Sequence, residues 1–337
     1  MRRLAIGIAV VATLTAVAVT AAFASSSRPA SASRSNSLST VRVVFDWPGI
    51  DFEAVPLTVG NARGLYKKAG LNVQIVIPPS TSTTVQMLAA GKGDIGFDTT
   101  TDVVFGQQAG IDVKSIANYS QNNNWGLVAK PGKKIDVTKI KGKSIGIFTD
   151  SWTKAMMPYV LKAGHVTSSQ VKQPIFSSDD IAPLLAGKID LATNTLNYAI
   201  AQVQSGTGKK PSVLLATKFG APNVPVWVYT GMTSWLKSHG SQAKKFLTAT
   251  RKAFAWSIAH PSAAVKAYLR AYPKIGGGLK YSLDGWKATI PALGPKSSLL
   301  MQRASEWRQV AHALHSVGLL KKPLSPSRYF TNAYLKG

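Results

Sequence analysis

The chain has 337 residues and carries 40 Lys and Arg against 14 Asp and Glu, which gives a net charge of +26. This length suits about two domains with a core in each, and a hydrophobic content of 45% excludes a mainly disordered chain. The lack of cysteine excludes disulfides, thiolate nucleophiles, iron–sulfur clusters, cysteine-ligated zinc and lipid attachment through an N-terminal cysteine.

The N-terminus has the pattern of an export signal. Two arginines precede an apolar run over residues 4–23, and Ala22-Phe23-Ala24 has the small residues of a cleavage site. We predict a signal peptide over residues 1–24 and a flexible, Ser- and Ala-rich linker over residues 25–40. The folded part then lies outside the cytoplasm, in a periplasm or at the cell surface. An uncleaved membrane anchor is the alternative, because the run approaches the ~20 apolar residues that span a bilayer.

One arrangement of residues occurs twice. Ala-Gly-Lys-Gly-Asp-Ile at residues 90–95 recurs as Ala-Gly-Lys-Ile-Asp-Leu at residues 186–191, and each copy is preceded by Lys-Ala-Gly. Each copy reads as a strand, a helix ended by a left-handed glycine, a strand, a short helix, a glycine turn and a third strand. Strands that alternate with helices predict two α/β lobes, each with a mainly parallel sheet flanked by helices.

Two segments are expected to cross between these lobes, near residues 118–125 and 219–227, since both join polar residues to a tryptophan. Lobe 1 would then comprise residues 41–121 and 226–337, and lobe 2 residues 122–225. In the C-terminal part, apolar periodicity predicts helices over residues 242–260, 262–272 and 297–317.

The densest positive charge is a run of six lysines between Lys130 and Lys143. No aromatic residue is interleaved with them, so we predict a solvated surface loop and no nucleic-acid binding. On an exported protein, the general positive charge favours electrostatic contact with an anionic membrane or cell wall.

The predicted ligand site lies where the two lobes face each other, because ligands of open parallel sheets bind beyond the carboxyl ends of the strands. Trp47 and Trp152 have twin positions in the repeat, and each either stacks on a ligand ring or packs in its lobe. Asp98 and Asn194 are also twins, and either hydrogen-bond ligand amines or cap a turn. The candidate ligand-binding residues are Trp47, Asp51, Glu53, Thr83, Asp98, Thr99, Trp125, Trp152, Asn194, Tyr198 and Trp227.

No pattern in the sequence supports catalysis or metal binding. His312 and His315 are three residues apart on the last predicted helix, but no carboxylate is placed beside them, so we expect solvated side chains. The chain has no Gly-x-Ser-x-Gly, His-Glu-x-x-His or phosphate-loop motif. We therefore predict no catalytic residues, no metal site and no cofactor.

Three segments resemble a known family, the extracytoplasmic solute-binding proteins of ABC importers, in the branch that includes nitrate, taurine, aliphatic-sulfonate and thiamine-precursor binders. These are residues 64–73, residues 88–96 and residues 140–146. The resemblance implies a two-lobed, type II periplasmic-binding-protein fold, often called a Venus flytrap, that closes over one small solute. It also implies a monomer that delivers the solute to an ABC permease and its ATPase subunits, without catalysis.

Within that branch, Phe45-Asp46-Trp47-Pro48 is similar to the opening motif of the pyrimidine binders of thiamine salvage. The similarity ends there, since the Pro-Asn and His of that subgroup are replaced by Gly49-Ile50-Asp51-Phe52-Glu53. Asp51, Glu53 and Asp98 would repel an anion, so we expect a neutral or cationic nitrogen heterocycle such as a thiamine-precursor pyrimidine. A sulfonate, taurine or nitrate binder is the alternative, followed by an exported enzyme on the same fold.

Overall fold

The computed structural model describes residues 37–177, 179–274 and 277–335. The predicted signal peptide and most of the predicted linker lie outside the described residues. Within these ranges, no helix is both long and apolar enough to cross a membrane. The strands are β1 (Ser39–Val44), β2 (Leu71–Val76), β3 (Ile95–Thr99), β4 (Val113–Asn118), β5 (Trp125–Ala129), β6 (Ile147–Phe148), β7 (Ile175–Phe176), β8 (Ala192–Thr195), β9 (Ser212–Leu215) and β10 (Trp227–Met232).

The helices alternate with these strands, as the repeat predicts. Short 3-10 turns lie between several of them, including Phe52–Ala54. The α-helices are α1 (Val55–Ala62), α2 (Leu65–Lys68), α3 (Thr84–Ala89), α4 (Thr100–Gln108), α5 (Ser151–Ala163), α6 (Ile181–Ala186), α7 (Leu196–Thr207), α8 (Thr233–Ser238), α9 (Gly240–Ala259), α10 (Pro261–Ala271), α11 (Gly278–Thr289), α12 (Ala304–Ser316) and α13 (Pro326–Tyr329).

The first lobe is built on a five-stranded sheet with the order β2-β1-β3-β10-β4. β1 pairs in parallel with β2 and β3, whereas β10 is antiparallel to both β3 and β4. Valines of β1 and the apolar residues of β3 are fully buried, because helices cover the sheet. The strand that runs against the others is the one that returns from the second lobe.

The second lobe repeats this order. β5 pairs antiparallel with β8 and β9, and β6 pairs in parallel with β7. A parallel bridge between Ile145 and Leu191 joins the two groups, which gives the order β7-β6-β8-β5-β9. Again a single described strand, β5, runs against the rest, and it is the one that arrives from the other lobe. The predicted α/β fold with a repeated, mainly parallel sheet is confirmed.

Two local predictions need correction. β1 begins at Ser39, inside the predicted linker, because Ser39 and Thr40 already pair with Leu71 and Asn72 of β2. In the second copy the left-handed residue after the helix is His165, with φ of 50°, and not Gly164. Gly164 serves close packing instead, since a Cβ there would lie 2.5 Å from Cδ1 of Ile140.

The last long helix is shorter than predicted. α12 begins at Ala304, although apolar spacing predicts a start at residue 297. The backbone amide of Arg303 donates to the carboxylate of Glu306, which fixes the first turn of the helix there. Leu300 lies outside the helix with a positive φ of 68° and is fully buried.

The two lobes are joined by neighbouring chain crossings, one between β4 and β5 and the other between β9 and β10. The side-chain amide of Asn123 donates to the carbonyl of Pro222 over 3.0 Å, and its backbone amide donates to Oδ1 of Asn223 over 3.0 Å. The two crossings therefore run side by side and are joined by hydrogen bonds.

Substitution of Gly126 by alanine is expected to destabilise the second lobe. Gly126 lies in β5 between β8 and β9, and a Cβ there would lie 2.3 Å from the carbonyl oxygen of Leu214. We expect the free energy of unfolding, measured by urea titration, to fall by about 1–3 kcal/mol. Gly206→Ala in α7 is the control, because its Cβ would meet only Leu185, at 3.9 Å. Equal losses in both variants would contradict the steric explanation.

Candidate functional site

A cavity of about 110 Å³ lies between the two lobes, where the carboxyl ends of strands from both sheets converge. Three of the chain segments that build it share one local arrangement. A strand ends, and the next residues enter a helix or turn whose first backbone amides are capped by a side chain. Asp51 caps the turn Phe52–Ala54, Thr99 caps α4 and Asp150 caps α5.

The wall from the first lobe is aromatic. Trp47 follows β1 and lies edge-on to Phe45, with ring centroids 4.7 Å apart, and to Phe97 at 5.7 Å. Trp227, at the start of β10, lies 6.4 Å from Trp47. Phe97 and Trp227 stack at 6.2 Å, so these rings form one cluster that faces the cavity through its two tryptophans.

The wall from the second lobe holds Trp125, Trp152 and Tyr198. The indole Nε1 of Trp125 donates to the hydroxyl of Thr153 over 3.1 Å, which fixes that ring. Nε1 of Trp152 is buried and has no hydrogen-bond partner. A buried donor without a partner costs free energy, so a ligand that offers an acceptor here would gain from it.

Four carboxyl groups line the cavity, those of Asp46, Asp51, Glu53 and Asp150. Burial, and then the charge of Asp51, raise the pKa of Glu53 well above its usual value. Burial also raises the pKa of Asp51, while hydrogen bonds from Glu53, including one from its backbone amide over 3.2 Å, oppose this rise. Two neighbouring carboxyl groups resist ionising together, so the pair favours the form in which Glu53 is protonated.

Burial raises the pKa of Asp150 to about 6, although the amide and hydroxyl of Thr153 donate to it over 2.6 and 2.7 Å. Within the described part of the chain, no lysine, arginine or histidine belongs to the cavity wall. The negative groups at this site therefore lack a basic neighbour, in a protein whose net charge is +26.

The lobes contact each other on both sides of the cavity. On one side, the hydroxyl of Ser151 in α5 lies 2.9 Å from that of Thr99 and 2.6 Å from that of Thr101. On the other side, the amide of Asn197 in α7 donates to Glu53 and to Thr289 at the end of α11. Hydrogen bonds thus join the two lobes on both sides of the cavity.

The structure brings nine of the eleven predicted site residues to the cavity wall. They are Trp47, Asp51, Glu53, Thr99, Trp125, Trp152, Asn194, Tyr198 and Trp227.

Thr83 and Asp98 do not line the cavity. Thr83 donates its hydroxyl to the carbonyl of Ser80 over 2.7 Å, and Thr81 of the same loop lines the cavity instead. Asp98 lies in β3, where side chains alternate between the two faces, so it points away from Phe97 and accepts a hydrogen bond from Thr230.

The sequence analysis missed eight wall residues. A comparison of the two copies could have found three of these. Asp46 follows the first strand of one copy as Asp150 follows that of the other, and Thr195 ends its strand as the predicted Thr99 does. The other five residues carry no comparable signal. The eight are Asp46, Thr81, Phe148, Asp150, Thr153, Thr193, Thr195 and Val226.

Asp180, behind this wall, is expected to make stability depend on pH. Burial raises its pKa to about 7, although the amides of Thr193 and Asn194 donate to it. In the unfolded chain an aspartate has a pKa of about 4. Between about pH 4 and 7 the folded state keeps a proton that the unfolded state has lost, so the free energy of unfolding falls as the pH rises and then levels off.

Urea titrations at about pH 5 and pH 8 can isolate this contribution if the wild type is compared with Asp180→Asn, which cannot titrate at this position. The wild type should lose more stability between the two pH values than the variant does. Equal losses would contradict the assignment to Asp180.

Comparisons with known proteins agree with this architecture. The family described as NMT1/THI5 like matches residues 51–264. The chain is 21% identical over 311 residues to a 4-amino-5-hydroxymethyl-2-methylpyrimidine phosphate synthase of Aspergillus parasiticus, covering 88% of each chain. It is 25% identical to the riboflavin-binding protein RibY of Chloroflexus aurantiacus, covering 100% of this chain and 98% of that one.

Among solved structures, the periplasmic aliphatic sulphonate binding protein SsuA of Escherichia coli superposes with a TM-score of 0.66 at 14% identity, covering 88% of this chain and 94% of that one. The likeness shows that the fold is the two-lobed, type II periplasmic-binding-protein fold that the sequence predicts. Because the family match spans more than half of the chain, the protein belongs to the NMT1/THI5-like family.

Proposed function

We propose that the protein is the solute-binding component of an ABC import system, and that its solute is a small planar nitrogen heterocycle with amino groups or a positive charge. The observation that carries this proposal is the composition of the cavity wall: tryptophan rings from both lobes, four carboxyl groups and no basic residue among the described residues that line it. Rings favour a flat ligand by stacking, and carboxylates accept hydrogen bonds from N–H groups.

The cavity volume favours the smaller of the two ligand types named among the relatives. About 110 Å³ is available, less than the roughly 150 Å³ of a cavity that holds benzene. The pyrimidine in the printed name of the Aspergillus relative has one ring, whereas the riboflavin bound by RibY carries a three-ring system. A thiamine-precursor aminopyrimidine is therefore nearer to this size than riboflavin is, and it suits the rings and the carboxyl groups of the wall.

The anionic alternatives fit less well. A sulfonate, taurine or nitrate ion needs positive charge or several free N–H donors around its oxygens. In this cavity the buried Nε1 of Trp152 is a free donor, but Asp51 and Asp150 would repel an anion. The similarity of fold to SsuA is therefore not sufficient reason to propose a sulfonate as the solute of this protein.

In the proposed role the protein lies outside the cytoplasm and its closed form binds a membrane permease. The protein itself catalyses no reaction. The export pattern of residues 1–24 supports this location. The synthase named among its relatives is the competing role, and it requires turnover of the bound molecule.

A ligand screen tests both parts of the proposal. Purified protein is heated with 4-amino-5-hydroxymethyl-2-methylpyrimidine, thiamine, riboflavin, taurine, an alkanesulfonate or nitrate, and the melting temperature is recorded. A ligand of the native state raises this temperature by mass action, so the aminopyrimidine is expected to give the largest rise. Mass spectrometry of the recovered ligand should find it unchanged. A rise with taurine or nitrate alone would overturn the ligand class, and a converted product would overturn the binding-only role.

A further inference from the structure

Three aspartates form a compact group at the back of the cavity wall. Asp46 follows β1, Asp98 lies in β3 and Asp102 lies in the first turn of α4. Each offers a carboxylate oxygen, and these three oxygens lie within 4.8 Å of one another. Asp46 is 2% exposed, Asp98 is fully buried and Asp102 is 8% exposed. We call these residues the aspartate cluster.

The cluster has no basic partner in the described part of the chain. None of the five ion pairs found there includes any of its members. Asp94 shows the contrast, because this buried aspartate of the same lobe is paired with the guanidinium of Arg42 over 2.8 Å.

Two oxygens of the cluster are left without a hydrogen bond. Oδ1 of Asp46 and Oδ1 of Asp98 are both buried and accept from no group. Leaving a buried acceptor unpaired costs about 1–3 kcal/mol, and more for a charged group. Two such oxygens within one group of three carboxylates indicate that a positively charged partner completes the site.

The groups that donate hydrogen bonds to the cluster are hydroxyls and one backbone amide. The hydroxyl of Thr230 donates to Oδ2 of Asp98, and the hydroxyl and backbone amide of Thr99 donate to Oδ2 of Asp102 over 2.6 and 3.2 Å. A set made only of carboxylate and hydroxyl oxygens suits a hard divalent cation and does not suit a metal that prefers nitrogen or sulfur.

We propose that Asp46, Asp98 and Asp102 bind a hard divalent cation, and that Ca²⁺ fits them best. The three oxygens lie within 4.8 Å of one another, so one cation can contact all of them. Ca²⁺ accepts a set of protein oxygens in flexible geometry, whereas Mg²⁺ usually keeps several of its waters, so this buried group favours Ca²⁺. The sequence conceals this site, because its ligands come from a strand end, a strand interior and a helix start, and the first two lie 52 residues apart (98 − 46).

Calcium binding to the full chain tests the proposal. The protein is treated with EDTA, dialysed and titrated with Ca²⁺ by calorimetry with no organic solute present, so the result does not depend on the proposed nitrogen heterocycle. We expect one Ca²⁺ per chain and a higher melting temperature with Ca²⁺. In Asp98→Asn, the affinity for Ca²⁺ should fall at least about tenfold, because one charged ligand is lost.

Asp94→Asn is the matched control, because Asp94 is a buried aspartate of the same lobe that forms an ion pair with Arg42. This variant should bind Ca²⁺ with the affinity of the wild type. Asp46→Asn provides a second test if Asp98→Asn does not fold. The proposal is overturned if Ca²⁺, Mg²⁺ and Mn²⁺ give no saturable binding up to about 10 mM, beyond the weak end of protein calcium sites. It is also overturned if the variants of Asp98 and Asp46 bind Ca²⁺ as the wild type does.

Discussion

Replacing Trp47 by alanine is expected to weaken the binding of an aminopyrimidine about 5- to 150-fold, since stacking of a base on an aromatic side chain contributes roughly 1–3 kcal/mol. Trp47 lines the cavity and is held in place by Phe45 and Phe97, so its ring presents a fixed face to a flat ligand. Titration calorimetry with the aminopyrimidine measures this loss directly.

Trp235→Ala is the control for this experiment. Trp235 is also partly buried and stacks on His239 with centroids 5.1 Å apart, but it lies in α8 and outside the cavity. The control should bind the ligand with the affinity of the wild type. If Trp47→Ala also binds normally while remaining folded, the ligand does not stack on this wall.

Asp51→Asn is expected to weaken binding of the same ligand about 10- to 150-fold, whereas Glu53→Gln should change it by only a few fold. We expect Glu53 to hold the proton of this pair, because burial and the charge of Asp51 raise its pKa. Asp51 is then the charged member, and a hydrogen bond to a charged group contributes about 1.5–3 kcal/mol. Glutamine has the shape and the neutral charge of a protonated glutamate, and it can still accept from Asn197.

The two variants serve as controls for each other, since both remove one carboxyl group from the same wall. The affinity of both variants is measured by calorimetry with an aminopyrimidine and with a neutral analogue that lacks the amino group. This comparison separates the effect of the negative charge on binding from the effect of side-chain shape. A larger loss in Glu53→Gln than in Asp51→Asn would place the charge on Glu53 and contradict this assignment.

The fold could be predicted from the sequence because it is encoded twice. The two Ala-Gly-Lys turns predict glycines with left-handed backbone, and Gly91 and Gly187 have φ of 69° and 76°. The order of strands in the second lobe follows that of the first. The sequence repeat could not predict that Gly164 lacks a left-handed backbone. This glycine is required by close packing against Ile140, which is distant in the sequence.

The site could be predicted in part for the same reason. Thr99 and Thr195 end equivalent strands, start equivalent helices and both reach the cavity. Asp98 and Asn194 are also equivalent in sequence, yet only Asn194 lines the wall. Asp98 is fully buried and accepts a hydrogen bond from Thr230 of the returning strand β10. A motif alignment shows which positions correspond, but contacts from distant parts of the chain decide which of them face the ligand.

The distribution of charge in this protein affects how fast a solute arrives. Six of the 14 acidic residues, Asp46, Asp51, Glu53, Asp98, Asp102 and Asp150, lie in the cavity wall or directly behind it, while the molecule as a whole carries +26. A cationic solute is therefore repelled at long range by the net charge, and it is attracted only close to Asp51 and Asp150, since Glu53 holds a proton and the aspartate cluster would hold its own cation. Added salt screens the long-range field more than the short contacts inside the cavity. Association of such a solute should accelerate with ionic strength, which is the opposite of the behaviour of electrostatically steered encounters.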